Sequence, residues 1–187
     1  MTHFHGTFIE TGEKELIITV VNPEKYHCAA GGNPLPADNT NYLIPDTQLS
    51  ANMAPVDDVV AWGESIDHLL ECKTGQLVFE DFLRTEYSEE NLLFWLACED
   101  YKKMTSKTEM TVAAKRIYTE FVQVDAPRQI NIDCVTRGEI SENLSQPEPN
   151  CFDRAQRLIY ALMENDCYPR FLKSEMYQAL LEQAERH

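Results

Sequence analysis

A chain of 187 residues can form one domain with an extension, or at most two small domains. The formal net charge of −15 argues against non-specific nucleic-acid binding and against a polybasic membrane anchor, because both need clusters of Lys and Arg against phosphate. The hydrophobic content of 43%, with 10% aromatic residues, is enough for a core.

Residues 1–54 are rich in Gly, Pro, Asn and Ser and show little periodicity, so we predict a mostly disordered extension with one short strand-like piece at 15–21. The longest apolar run of this segment, LIITVV (16–21), is too short for a secretory signal or a membrane span. The six cysteines of the chain show no CxxC spacing. Together these features indicate reduced thiols in an intracellular protein without a transmembrane segment.

From about residue 55 the hydrophobic spacing becomes helical, and residues 55–187 predict one all-α domain. A first apolar stripe runs from 59 to 69, and we expect Gly75 to end that segment. A second, short helix follows at 77–83. The long helix from about 88 to 104 is apolar nearly all round in its middle, which predicts a position at the centre of a bundle.

The remaining segments are also helical. The helix after the long one ends at the sequence DAPRQ (125–129), because Pro127 cannot continue it. No strand pattern occurs between 55 and 185. The predicted helices after the long one cover about 114–124, 133–143 and 151–164, a short segment from Pro169, and 176–184.

Helix order predicts that three polar turns lie together. If neighbouring helices are antiparallel and joined by short loops, EYSEEN (86–91), QINID (129–133) and MENDCYPR (163–170) fall at the same end of the bundle. The result would be an acidic, amide-rich patch on a rigid scaffold.

Each turn also has a purely structural explanation, and the residues alone leave both open. Ser88 is a good N-cap, and acids in the first turn of the following helix favour the positive end of the helix dipole, by roughly 0.3–1 kcal/mol each. Asp133 would likewise cap a helix. Arg170 would form an internal ion pair with Asp166.

No pattern in the sequence points to covalent chemistry. The chain lacks a P-loop, GxGxxG, GxSxG and HExxH, and no ExxH spacing exists for a di-iron centre. The pair His3 and His5 and the neighbours Asp67 and His68 are the nearest approaches to a metal site. We therefore predict no metal site, no cofactor and a binding module rather than an enzyme.

Five stretches of the helical region carry a resemblance to a known family. They are VVAWGESIDHLL (59–70), FLRTEYSEENLLFWLACEDYKK (82–103), AAKRIYTEFV (113–122), INIDCVTRGEI (130–140) and FDRAQRLIYALMENDCYPRFLKSEMY (152–177). In this order, and over about residues 56–182, they resemble the regulator of G-protein signalling (RGS) family. The resemblance implies a nine-helix domain built on an antiparallel four-helix bundle, at 55–187, after the extension.

The resemblance also implies a function, namely acceleration of GTP hydrolysis by the α subunit (Gα) of heterotrimeric G proteins. Asn131 would reach into the nucleotide site near the catalytic glutamine, while Cys167, where many members have serine, would weaken one polar contact. We expect a monomeric GTPase activator, without chemistry of its own, that binds GTP-bound Gα and attenuates receptor signalling. The expected Gα contacts are Glu86, Tyr87, Ser88, Glu90, Asn91, Asn131, Asp133, Leu162, Asp166 and Arg170.

The resemblance places such a protein in the cytoplasm, at the inner face of the plasma membrane through its partner. Two other functions compete with GTPase activation. A non-catalytic interaction module would keep the fold as a scaffold, and it predicts loss of the residues at 90 and 131, which are both intact. An autonomous enzyme finds no support in the motifs.

Overall fold

The computed structural model describes residues 15–18 and 52–186. Two short strands, β1 (Glu15–Ile18) and β2 (Asn52–Pro55), pair antiparallel. The α-helical segments are α1 (Val56–Ala61), α2 (Ile66–Glu71), α3 (Lys73–Thr85), α4 (Glu89–Lys102), α5 (Lys107–Ile117), α6 (Cys134–Asn143), α7 (Asp153–Leu162), α8 (Tyr168–Leu172) and α9 (Glu175–Glu185).

Two π-helical turns lengthen this set of helices. The first π turn (Tyr118–Val122) continues α5, and the second π turn (Met163–Cys167) joins α7 to α8 without a break. Within the described residues the nine α-helical segments therefore form eight separate helices rather than the nine expected. The all-α class predicted for the domain is confirmed.

The predicted extension falls mostly outside the described residues. Of the strand-like piece expected at 15–21, residues 15–18 form β1. Its partner, β2, lies where only irregular chain was predicted, because pairing between distant segments leaves little trace in local sequence. None of the described helices is long and apolar enough to cross a membrane.

The core is organised around α4, as its apolar composition predicted. Phe94 is fully buried and meets Phe121 with ring centroids 5.8 Å apart and Phe152 at 6.4 Å. Tyr101, near the other end of α4, meets the same Phe152 at 5.1 Å. Edge-to-face aromatic pairs of this kind add to the apolar burial and hold α4, α5 and α7 in one register.

The first predicted helix is wrong in two respects. The stripe from 59 to 69 is divided into α1 and α2, because the Ser65 side chain accepts the His68 backbone N–H at 3.2 Å and starts a new helix. Gly75 does not end a helix but lies buried inside α3. A Cβ atom at Gly75 would stand 2.4 Å from the carbonyl oxygen of Leu69, so the glycine permits α2 and α3 to touch.

Buried tyrosine hydroxyls hold the N-terminal helix against the C-terminal helices. Tyr168 donates to the Trp62 carbonyl at 2.8 Å, and Tyr177 donates to the Val59 carbonyl at 3.0 Å. Burial raises the pKa of Tyr168 to about 12, so this donor keeps its proton throughout the physiological range. The two bonds fix α1 to α9 and the residue just after α1 to α8.

Gly138, by contrast, has no evident structural need. It lies exposed inside α6, and a Cβ atom there would meet nothing within 4 Å. We expect Gly138→Ala to raise the free energy of unfolding by about 0.5–1 kcal/mol, because alanine loses less backbone entropy in a helix. Urea unfolding followed by circular dichroism measures the change, and a lower midpoint would contradict it.

Candidate functional site

The turn between α3 and α4 presents an aromatic side chain to solvent. Tyr87 has a φ of 55° and is 91% exposed. The left-handed region disfavours a residue with a Cβ by roughly 1–2 kcal/mol, so the surrounding bonds must impose it. The backbone N–H groups of Glu86 and Ser88 both donate to the Leu83 carbonyl at 3.0 Å, which closes the turn around Tyr87.

Ser88 occupies the N-cap position of α4, but its side chain does not act as the cap that the sequence predicted. Its hydroxyl instead donates to the Leu83 carbonyl at 3.4 Å. Asn91 is only 5% exposed, and its amide donates to the Ser88 carbonyl at 3.2 Å. Asn91 therefore supports the turn from beneath, whereas the sequence suggested an exposed amide.

Residues 163–170, predicted as a turn between two helices, are helical throughout, and this segment is tied directly to the turn before α4. The Arg170 guanidinium donates from Nη2 to Glu86 Oε2 at 2.7 Å and from Nε to Glu86 Oε1 at 3.1 Å, and from Nη1 to Asp166. The pair with Asp166 was foreseen, whereas the one with Glu86 was not. Both carboxylates raise the pKa of Arg170, which remains charged. Two of the three turns are thus joined, as helix order predicted.

The carboxyl of Glu90 is half-buried beside this cluster. Burial raises its pKa above the usual value, and it lies near enough to the Cys167 thiol, together with Glu86, to raise that pKa as well. Cys167 itself is only 2% exposed and packs in the core, whereas the resemblance implied a weakened polar contact at this position. Its raised pKa follows mainly from burial.

In the turn before α6, buried and exposed side chains alternate, and the buried ones anchor the turn. Ile130 and Ile132 are buried, whereas Asn131 and Asp133 are exposed. The Ile130 N–H donates to the Phe121 carbonyl at 2.9 Å. Since the Phe121 ring packs on Phe94 of α4, the contact that ties this turn to the central helix is apolar.

Asp133 is the helix cap that the sequence predicted. Its carboxylate accepts the Thr136 backbone N–H at 2.8 Å and the Thr136 hydroxyl at 2.6 Å. These bonds lower the pKa of Asp133, because they favour the charged form. Leu162, at the end of α7, is 37% exposed and forms an apolar border to the joined turns.

We call eight of the ten expected contact residues the polar tip, leaving out Ser88 and Asn91, whose side chains bond to nearby backbone carbonyls. It combines carboxylates that accept hydrogen bonds, one amide that both donates and accepts, and an aromatic ring. Its members are Glu86, Tyr87, Glu90, Asn131, Asp133, Leu162, Asp166 and Arg170.

Removing the positive charge that joins the turns should weaken the fold slightly. The Arg170 side chain is 45% exposed and that of Glu86 27%, so solvent screens the pair. We expect Arg170→Met to lower the free energy of unfolding by about 1 kcal/mol or less. The loss should shrink in roughly 1 M NaCl, where the Debye length is only about 3 Å.

The matched control is Arg154→Met. Arg154 pairs with a single acid, Glu139, at 2.7 Å, and both side chains are about half exposed. Denaturant titrations at low and high salt compare the two variants. An equal loss in both would mean that the bond between Arg170 and Glu86 adds nothing to stability.

The comparison with protein families agrees with the arrangement of these helices and turns. The family model of the regulator of G protein signaling domain matches residues 65–180, which is more than half of the chain. The chain belongs to the RGS family. The matched residues include all three turns of the polar tip, and α1 lies just before them.

Curated relatives show the same relationship over most of their length. The chain is 50% identical to Regulator of G-protein signaling 8 of Mus musculus over 145 residues, which are 77% of this chain and 81% of that protein. It is 47% identical to Regulator of G-protein signaling 5 of Sus scrofa over 137 residues, 73% and 76% of the two chains. Regulator of G-protein signaling 21 of Homo sapiens is 49% identical over 128 residues, 68% and 84%. This RGS protein therefore regulates G-protein signalling.

Proposed function

We propose that this RGS protein is a GTPase-activating protein for the α subunit of heterotrimeric G proteins. The observation that carries the proposal is the polar tip, in which Arg170 ties Glu86 of one turn to Asp166 of another. A patch held by bonds between turns is preorganised, so little entropy is lost when a partner binds. Its carboxylates can accept hydrogen bonds from backbone N–H, Thr and Lys groups of a partner's mobile loops.

The polar tip would act by stabilising the transition state of its partner. A Gα subunit already carries its arginine finger in cis, so an activator need not supply one. It accelerates hydrolysis if it binds the switch loops more tightly in their transition-state arrangement than in the ground state. Each ~1.4 kcal/mol of that difference gives about a tenfold increase in rate.

Asn131 is the residue for which we propose the most direct role. Its side chain is exposed between two buried isoleucines, so the backbone is fixed while the amide is free to meet a partner. An amide can donate to one group and accept from another, which suits a position beside the catalytic glutamine of Gα. Tyr87 and Leu162 would supply apolar contact area at the border.

Single-turnover GTP hydrolysis tests the proposal. A panel of purified Gα subunits is loaded with GTP, and hydrolysis is followed with and without the full chain. We expect faster hydrolysis by at least one subunit, and tighter binding to Gα carrying GDP and aluminium fluoride than to the GTP or GDP forms. Binding without acceleration would favour the scaffold, and turnover of a substrate without Gα would favour an enzyme.

We propose further that residues 55–187 are the domain that carries this activity, that it works as a monomer, and that it reaches the inner face of the plasma membrane through its partner. Residues 1–54, including Cys28, lie almost entirely outside the described part of the chain. Sedimentation of the full chain measures its oligomeric state. Recovery with lipid vesicles only in the presence of lipidated Gα would support recruitment by the partner.

A further inference from the structure

The helix that runs from α7 to α8 buries two sets of side chains, one before and one after the second π turn. Ala155, Ile159 and Met163 are buried before it ends, and Cys167, Tyr168 and Phe171 are buried from its last residue onward. Each residue of an α-helix turns the chain by about 100°. The two sets can therefore be compared by counting along the sequence.

The count shows that the two sets do not share a face of a regular α-helix. Ala155, Ile159 and Met163 would lie within about 80° of one another. On the same count, Cys167, Tyr168 and Phe171 would lie about 120–220° from Ala155, which is an offset of roughly 130° between the centres of the two sets. One extra residue accounts for about 100° of that offset.

The second π turn removes most of this offset by accommodating one extra residue. In a π turn the backbone N–H bonds to the carbonyl five residues back, as the Tyr168 N–H does to Met163. If one residue between 163 and 167 were absent, Cys167, Tyr168 and Phe171 would fall about 20–120° from Ala155, on the face of the first set. In a chain one residue shorter, a regular helix would thus place both buried sets on one face.

Pro169 offers a competing reason for the wide turn. Proline lacks an N–H and its ring clashes with the carbonyl four residues back, so a π turn just before it would relieve that clash. Proline alone does not explain the offset between the buried sets, however. The extra residue requires the turn whether or not position 169 is proline.

The residues that the wide turn displaces outward belong to the polar tip or adjoin it. Glu164, Asn165 and Asp166 are all exposed, and Asp166 bonds to Arg170, which reaches Glu86. The Asn165 amide donates to the Ala161 carbonyl at 2.7 Å, so a side chain takes part in the widened backbone ladder. Single π turns inside α-helices are frequent at functional sites.

We propose that the second π turn is a positioning element of the docking surface, present because it moves Glu164–Asp166 outward and not because the core needs it. This inference rests on the proposed binding of Gα. The extra residue serves recognition of the partner and does not add to the stability of the domain.

The test uses three variants of the full chain. The first combines deletion of Asn165 with Pro169→Ala and so allows an uninterrupted helix. The second is Asn165→Ala, which removes the amide but keeps the extra residue. The third is Pro169→Ala alone, which also keeps the extra residue. None of them changes Glu86, Asp166 or Arg170.

Thermal unfolding and binding to purified Gα with GDP and aluminium fluoride give independent readouts. We expect the deletion variant to keep its helical content and to unfold at or above the wild-type temperature. Its affinity should fall about tenfold or more, the equivalent of one charge-assisted hydrogen bond. Pro169→Ala, which keeps the extra residue, should stay within about twofold of wild type, and Asn165→Ala should lose less affinity than the deletion.

Two results would overturn the inference. A deletion variant that binds as tightly as wild type would show that the wide turn does not serve docking, and one that fails to fold would show that the count of buried faces is wrong. If wild type itself has no affinity for any Gα, the proposed function fails and the docking role with it. The unfolding temperatures would still report whether the core tolerates a regular helix.

Discussion

Asn131→Lys is expected to reduce the acceleration of Gα GTP hydrolysis by about 100-fold, the size of effect seen when one preorganised hydrogen-bond donor is removed from a reacting centre. The lysine removes an acceptor and introduces an ammonium group beside the nucleotide site that the polar tip is proposed to cover. Because Asn131 is exposed between the buried Ile130 and Ile132, the domain should remain folded. Stability should change by no more than about 0.5 kcal/mol.

Asn150→Lys is the matched control for this change. Asn150 is also exposed and lies just before α7, whereas the polar tip lies at the other end of that helix. The control should accelerate hydrolysis like wild type in single-turnover assays. If Asn131→Lys retained full acceleration while folded, the role proposed for this side chain would be refuted.

Gly75→Ala is expected to destabilise the domain more than any other small substitution considered. The added Cβ would stand 2.4 Å from the Leu69 carbonyl oxygen and 3.1 Å from Trp62 Cε2, so α2 and α3 would have to separate. Overpacking of this kind typically costs about 1–3 kcal/mol, and the clash with backbone puts Gly75 at the upper end. Even after the gain of about 1 kcal/mol in helix propensity, a net loss of about 2 kcal/mol remains.

Gly138→Ala isolates the effect of packing, because both glycines lie inside helices and receive the same methyl group. The two variants should shift the unfolding temperature in opposite directions, with a fall of roughly 5–10 °C for Gly75→Ala. Differential scanning calorimetry of the full chain measures both. Equal shifts would mean that close approach of α2 to α3 is not the reason for glycine at position 75.

Local sequence signals predicted helices and caps correctly where the structure depends on the same few neighbouring residues that carry the signal. The cap at Asp133 was identified because an acid before a helix meets the N–H groups of the next turn, as the bonds to Thr136 show. The central position of α4 followed from its apolar composition. At Ser88 the same kind of local signal predicted a side-chain cap that does not form. A residue type that favours the N-cap position does not force its hydroxyl to accept from its own helix, and this hydroxyl donates to the Leu83 carbonyl instead.

The predictions that failed concern contacts between distant segments. Gly75 resembles a helix end in sequence, whereas it lies inside α3, where the approach of the Leu69 carbonyl leaves no room for a Cβ atom. No local feature of the sequence predicted that β1 pairs with β2. The resemblance implied a polar contact at Cys167, whereas this side chain is buried in the core.

Sequence alone determined that this protein is an all-α RGS domain, because helical periodicity and family motifs are properties of short stretches. It also predicted that the three turns lie at one end of the bundle, and the bonds of Arg170 join two of them. The tertiary structure decided which side chains of those turns face outward. Arg170 pairs with Glu86 as well as with Asp166, the Asn91 side chain is buried, and Tyr87 is held exposed. These outcomes depend on packing between segments that are far apart in the chain.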